Sequence, residues 1–232
     1  MNREHESRGV RYRVIQPPDV EEMTTFLADT FSRAEPMGHA LSLPGEVVRR
    51  VVSVFAPRAV EDGLTLVARD AGTGEMVGAL LAGDFAAPPP EGIDTVDERF
   101  RPVATLLEEL DARYRAGRRM PPGEYLHLAM LGVSPAAAGR RVGQNLMELC
   151  MENGARRGYR TAVAEATGRV SRHICRKHGF VERLTCPYGS FRFEGRPVFA
   201  SIRGHEAVVL MDRSLLDLGL PRDPEGGTGA PP

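Results

Sequence analysis

Lysine is almost missing from this chain: Lys177 is the only one, so nearly all the positive charge is arginine. Arginine suits bidentate contacts to phosphate, and a genomic preference for arginine codons explains the bias equally well. No apolar stretch approaches the ~20 residues a membrane span needs. The first residues, MNREHESRGVRYR, are charged and carry no apolar run, against a secretory signal. A strong net charge is missing too. At −1 there is no global attraction to nucleic acid or to an anionic membrane, and neither is an expected partner. Cys150, Cys175 and Cys186 are odd in number and lack metal-ligand spacing. That disfavours a disulfide framework and a zinc site, and fits reduced thiols in a cytoplasmic protein without a metal.

What is present is enough for one sizeable core: 232 residues, 42% of them hydrophobic. The expected organisation is a flexible tail over 1–9, one domain over 10–218 with a helical insertion at about 86–122, and a disordered, low-complexity tail over 219–232. Val10–Ile15 alternates as a strand does. Asp19 is placed to cap a helix over Val20–Arg33, whose Met23, Phe26, Leu27, Thr30 and Phe31 follow helical spacing. That helix should stop at Glu35–Pro36, because proline disfavours helix in the residue before it. Leu43–Phe55 carries a second amphipathic pattern, with Pro44 near its first turn. Leu64–Arg69 and Met76–Ala82 read as a hairpin, and Val103, Leu106, Leu107, Leu110 and Tyr114 mark one face of a helix over about Val96–Arg115.

The most informative stretch is Tyr125–Phe180. A nearly continuous apolar strand, Tyr125–Val133, leads through a glycine-bearing turn (AAAGRRVG) into a helix. A second strand, YRTAVAEAT, and a second helix closing on HGF follow. Backbone N–H groups at such a strand–turn–helix junction can bind a diphosphate. Phe180–Pro187 and Glu206–Met211 read as the last strands. Two helical crossovers in this half predict a mixed α/β fold whose central sheet is partly parallel.

VSPAAAGRRVGQNLMELC followed by ATGRVSRHICRKHGF resembles the GNAT superfamily of acyl-CoA-dependent N-acetyltransferases. The family pattern is R/Q-x-x-G-x-G/A before an apolar helix. Gly139 and Gly143 fall on small positions, Ala138 stands where Arg or Gln is usual, and Arg141 where glycine is usual. Lys177, Gly179 and Phe180 form the K-x-G-F close. FSRAEPMGHAL at 31–41 is similar to the F-x-x-x-E-P motif of invertebrate arylalkylamine N-acetyltransferases, which also carry a helical insertion before the fourth strand. Thr167 and Ser171 match a serine-rich segment of that subfamily.

The resemblance implies acetyl transfer from acetyl-CoA, with no metal, to a small primary amine by direct attack in a ternary complex. The protein is expected as a monomer or homodimer. A peptide or protein amine as acceptor, and a catalytically inactive CoA-binding or interaction module, remain alternatives. The motif glutamate of the subfamily, its catalytic base, maps onto Glu35. His127, an imidazole in the central strand, is the second candidate. It is expected to point where Ala129, Leu131 and Val133 point. Cofactor contacts map onto Leu131, Gly132, Val133, Ala138, Gly139, Arg140, Arg141, Val142, Gly143, Gln144 and Ser171. An oxyanion donor is expected near Leu131–Val133, at a bulge that Gly132 would ease. The tyrosine that many members use to protonate the leaving thiolate is replaced by Cys175, which leaves Ser171 as the better donor. Arg140, Arg141, Arg172, Arg176 and Lys177 could face CoA phosphates or form a solvated surface. Tyr188, Phe191, Phe193 and Phe199 could line an amine pocket or pack a core.

Overall fold

The computed structural model describes residues 4–220. Its centre is an eight-stranded sheet, flanked on both faces by helices. The strands are β1 (His5–Ser7), β2 (Val10–Val14), β3 (Leu66–Asp70), β4 (Met76–Asp84), β5 (Tyr125–Val133), β6 (Thr161–Ala166), β7 (Val181–Pro187) and β8 (Ala207–Ser214). The helices are α1 (Val20–Ala34), α2 (Pro36–Ala40), α3 (Gly45–Glu61), α4 (Arg101–Arg115), α5 (Val142–Arg156) and α6 (Arg169–Lys177). The strand order is β1-β2-β3-β4-β5-β6-β8-β7, and only β5 with β6 is a parallel pair. β8 enters between β6 and β7 and runs antiparallel to both, so the second helical crossover makes no parallel neighbour.

Of the loose N-terminal tail expected over 1–9, residues 1–3 lie outside the described residues, and over 5–9 the expectation is corrected by β1, which pairs with β2 across a turn at Arg8 and Gly9. Both turn residues have positive φ, 51° and 68°, the geometry of the tight hairpin turns that match strand twist. Residues 221–232 of the expected C-terminal tail lie outside the described residues. Asp19 does not cap α1. Its carboxylate turns back to accept from the Gln16 N–H at 2.8 Å and from Arg13 at 2.6 and 2.8 Å, and Arg69 joins it at 2.9 Å. α3 runs past the expected end at Phe55 and through Pro57, which removes one helical hydrogen bond while the helix keeps Val47, Val51, Val52, Ala56 and Ala59 buried.

Two features of β5 position the site. The first is a bulge: Leu81 pairs with Met130 and Ala82 with Leu128, which leaves Ala129 extra. The bulge therefore sits three residues before Gly132. Gly132 has a different job, since a Cβ there would stand 2.9 Å from Leu27 Cδ2 and 3.3 Å from Phe26, so the missing side chain lets α1 lie close on the strand. The second feature is a split. β5 pairs with β6 only at Tyr125, Leu126 and His127, and beyond His127 the two strands part.

Candidate active site

The split opens into a cavity of about 380 Å³ that passes between the two faces of the sheet. Met147 of α5 and Ser171 and Cys175 of α6 line it from one face. Phe31 and Glu35, Val51 and Phe55 of α3, and Val103 and Leu107 of α4 line it from the other. Ala129, Met130 and Leu131 of β5 and Ala164, Glu165 and Thr167 at the end of β6 form the rim of the split. The insertion supplies one wall through Pro88, Pro89, Pro90, Ile93 and α4.

Glu35 is held by the local grammar of its motif. It is the N-cap of α2, with Pro36 in the first helical position, where proline's missing N–H costs nothing. One carboxylate oxygen, Oε2, accepts from the Gly38 N–H at 2.6 Å. The other, Oε1, is buried and has no hydrogen-bond partner. Burial pushes the carboxyl pKa above the ordinary glutamate value, against the pull of the Gly38 and Met37 N–H groups and the Thr167 hydroxyl.

His127 lies in the same cavity but not as its strand position predicts. The extra residue at Ala129 inverts the alternation, so Leu131 and Val133 reach toward Gly143 of α5 while His127 packs edge-on against Phe85, with ring centroids 5.1 Å apart. Its Nε2 is 2.7 Å from Glu165 Oε2. Burial works against a charged ring, but the Glu165 carboxylate outweighs it and holds the His127 pKa above its usual value. The same pairing overcomes burial at Glu165 and keeps that carboxyl low. Asp111 of α4 completes the group, within hydrogen-bonding reach of Glu165, and burial plus the Glu165 charge push it up to about 8. Neither Asp111 nor Glu165 was among the expected site residues. Each carried a signal: a carboxylate inside the apolar strand TAVAEA, and one on the apolar stripe Val103–Leu107–Asp111.

Ser171 lines the cavity, yet its hydroxyl is engaged in capping α6, donating to the Gly168 carbonyl at 3.0 Å and accepting from the Gly168 N–H at 3.2 Å. Cys175 is buried, and burial pushes its thiol up to about 12, an inert state.

The turn before α5 stands outside the cavity. The N–H groups of Gly139, Arg141, Val142, Gly143 and Gln144 make no hydrogen bond to another described residue, the usual condition of a helix start. Arg141 is exposed with φ 61°, which explains why a glycine suits that position, and its guanidinium has no partner among the described residues. Arg140 is different. Its guanidinium is tied to Asp70 at 2.6 Å and to the Arg8 and Gly9 carbonyls, and so braces the β1–β2 turn. Arg172 and Arg176 are likewise paired with Glu182. Val133 packs against Gly143, where a Cβ would come within 3.3 Å. Ala138 is an exposed turn residue. Tyr188, Phe191 and Phe199 are buried in the core and stay out of the cavity, whose aromatic lining is Phe31, Phe55, Phe85 and Phe100.

The sequence model described as the acetyltransferase (GNAT) family matches residues 54–180, more than half of the chain and the whole β3–α6 unit. The chain belongs to the GNAT family of acetyltransferases. Solved structures share its fold. The C-terminal condensation domain of Ebony, in complex with β-alanyl-dopamine, superposes with a TM-score of 0.80 at 13% identity, covering 88% of this chain and 98% of that one. Arylalkylamine N-acetyltransferase 2 from Aedes aegypti gives 0.75 at 20% identity, covering 90% and 100%. Drosophila melanogaster polyamine N-acetyltransferase, an enzyme that forms N-acetylagmatine, gives 0.72 at 24% identity, covering 88% and 99%. A search of curated proteins by sequence finds no significant match. The GNAT fold here is thus a mixed α/β sheet of largely antiparallel strands with one parallel pair. Among the described residues, no helix is long and apolar enough to cross a membrane, and no group of His, Cys, Asp and Glu could hold a metal ion.

Proposed function

We propose that this GNAT protein transfers an acetyl group from acetyl-CoA to a small primary amine by direct attack in a ternary complex, with Glu35 as the base. The observation that carries the proposal is the unpartnered, buried Oε1 of Glu35 in a cavity that crosses the split sheet. Such a cavity admits one reactant from each face, and the two can meet without an acyl-enzyme.

The cofactor side fits a diphosphate: five successive or near-successive N–H donors lack partners at the start of α5, and Arg141 offers a free guanidinium beside them. When bound, acetyl-CoA supplies an activated thioester. The unpaired edge of β5 beyond His127 offers backbone donors for the negative charge that builds on the acetyl oxygen. On the other face, Glu35 Oε1 accepts the ammonium proton. At pH 7 only about one primary amine in 10³ is neutral, so a base contributes roughly 10²–10⁴-fold. A carboxyl raised by burial is better matched to that transfer than an exposed one. The amine acceptor class rests on the apolar walls, on the wall built by the insertion, and on the small amines named for the structural neighbours. An inactive CoA-binding module is the second reading, favoured by the inert Cys175 thiol and the engaged Ser171 hydroxyl.

Thiol release from acetyl-CoA across a panel of amines tests the proposal, with calorimetric titration of acetyl-CoA beside it. Acetylation of at least one small amine is the expected result. Tight binding without turnover on any amine or peptide would hand the case to the second reading.

A further inference from the structure

Thr167 stands on the rim of the split with no strand pairing to hold it. It lies one residue past the end of β6, outside the ladders that β6 makes with β5 and β8. Its hydroxyl is the side-chain donor that acts on Glu35, and its carbonyl accepts from the Tyr188 hydroxyl at 2.6 Å. The next residue, Gly168, lies against the Glu35–Pro36 corner, since a Cβ there would come 3.9 Å from Pro36 Cγ. Tyr188 itself is firmly set. It is 2% exposed, its N–H donates to the Glu206 carbonyl at 3.0 Å, and its ring meets Phe199 edge-on with centroids 6.0 Å apart. Phe199 stacks in turn on Phe191 at 5.5 Å. Burial and the nearby Glu35 charge push the phenol pKa up, so the hydroxyl stays a donor and passes no proton.

We propose that Tyr188 is a positioning residue for the base: by holding the Thr167 carbonyl it sets the Thr167 hydroxyl against Glu35. This rests on the acetyl-transfer reading above. Tyr188 does not line the cavity, so its influence on the reaction runs through Thr167.

The direction of the effect follows from the chemistry. A donor favours the charged carboxylate, so the Thr167 hydroxyl opposes the upward push of burial on Glu35. The other groups acting on Glu35 are the Gly38 and Met37 N–H groups and His39 of α2, whose Nε2 is 2.7 Å from the Arg33 carbonyl. All three belong to the Glu35 corner itself. Removing the phenol oxygen therefore releases Thr167, withdraws its hydroxyl, and leaves burial to raise the Glu35 pKa further. A buried tyrosine that served packing alone would lose little on becoming phenylalanine and would leave Glu35 as it was.

The test uses Tyr188→Phe, which keeps the ring and removes only the oxygen, Thr167→Val, which removes the hydroxyl, and the double variant. Glu35 is titrated by carbon-13 NMR in protein labelled at the glutamate carboxyls, its resonance identified by its absence in Glu35→Gln. The midpoint should move up by at least about half a pH unit in each single variant and no further in the double variant, because the two residues act in one chain. The acid limb of kcat/KM for amine acetylation should move with it, a loss of about three-fold at a fixed pH on that limb, with acetyl-CoA binding unchanged. Phe191→Leu loosens the same aromatic cluster and keeps the phenol. It should lower the melting temperature and leave the midpoint in place, and melting curves establish that every variant titrated is folded. An unmoved midpoint in Tyr188→Phe, additive shifts in the double variant, or an equal shift in Phe191→Leu overturns the assignment. If the midpoint shifts as expected while no amine is acetylated, the Tyr188–Thr167–Glu35 chain stands and the acetyl-transfer reading falls.

Discussion

Arg141 carries a conflict that can be read directly. Its φ of 61° places a residue with a Cβ in the left-handed region, at a cost of roughly 1–2 kcal/mol, at the position where the family pattern has glycine. Arg141→Gly should therefore raise the melting temperature by about 2–4 °C for a domain of this size, read by scanning calorimetry. If the guanidinium also meets the cofactor's phosphates, the same substitution should weaken acetyl-CoA binding about ten-fold. Asp111 makes the opposite case for pH. Its folded value of about 8 stands above the ordinary 3.8, so the fold favours the protonated form. The stability this group contributes is complete below about pH 4 and is lost as pH rises through 8. Asp111→Asn should consequently melt above the wild type at pH 9 and converge with it toward pH 4. At this scale the sequence made Glu35 legible, because Glu-Pro is both a motif and a helix-capping unit. It did not expose the Asp111–Glu165 pair, whose two members lie on separate elements and meet only through the fold.

At the scale of elements, α1 and β5 must stay close for Glu35, just beyond the end of α1, to reach the split. Gly132→Ala would set a Cβ 2.9 Å from Leu27 Cδ2, against a fully buried side chain. Overpacking of this kind costs about 1–3 kcal/mol. Since α1 carries the base and not the cofactor turn, kcat for amine acetylation should fall more than acetyl-CoA affinity. Stopped-assay kinetics beside calorimetric titration would separate the two. The helices and most strands were readable from periodicity, as the match of Tyr125–Val133 to β5 shows. What periodicity could not foresee was the extra residue at Ala129. A bulge is decided by the register with the partner strand, so the face His127 takes depends on β4 as much as on β5. The insertion of β8 between β6 and β7 was hidden for the same reason: strand order is a property of pairing, not of any single strand.

Across the whole molecule, the sheet is a partition with one opening. Met147, Ser171 and Cys175 line it from one face, and Glu35 with the wall built from the insertion lines it from the other. The fold class followed from the alternation of strands and helices, whereas the opening itself depends on β5 and β6 parting after three residue pairs. The central claim is that Glu35 removes the amine proton, and the measurement closest to it is kcat/KM for amine acetylation as a function of pH in the wild type and in Glu35→Gln. The amine's own deprotonation contributes a rise near pH 10.4 in both proteins. The account predicts an additional rising limb in the wild type, with its midpoint above the ordinary glutamate value of 4.5, and its loss in Glu35→Gln, together with a drop of about 10²–10⁴-fold near neutrality and unchanged acetyl-CoA binding. Wild-type rates in Glu35→Gln from pH 6 to 9 would contradict it.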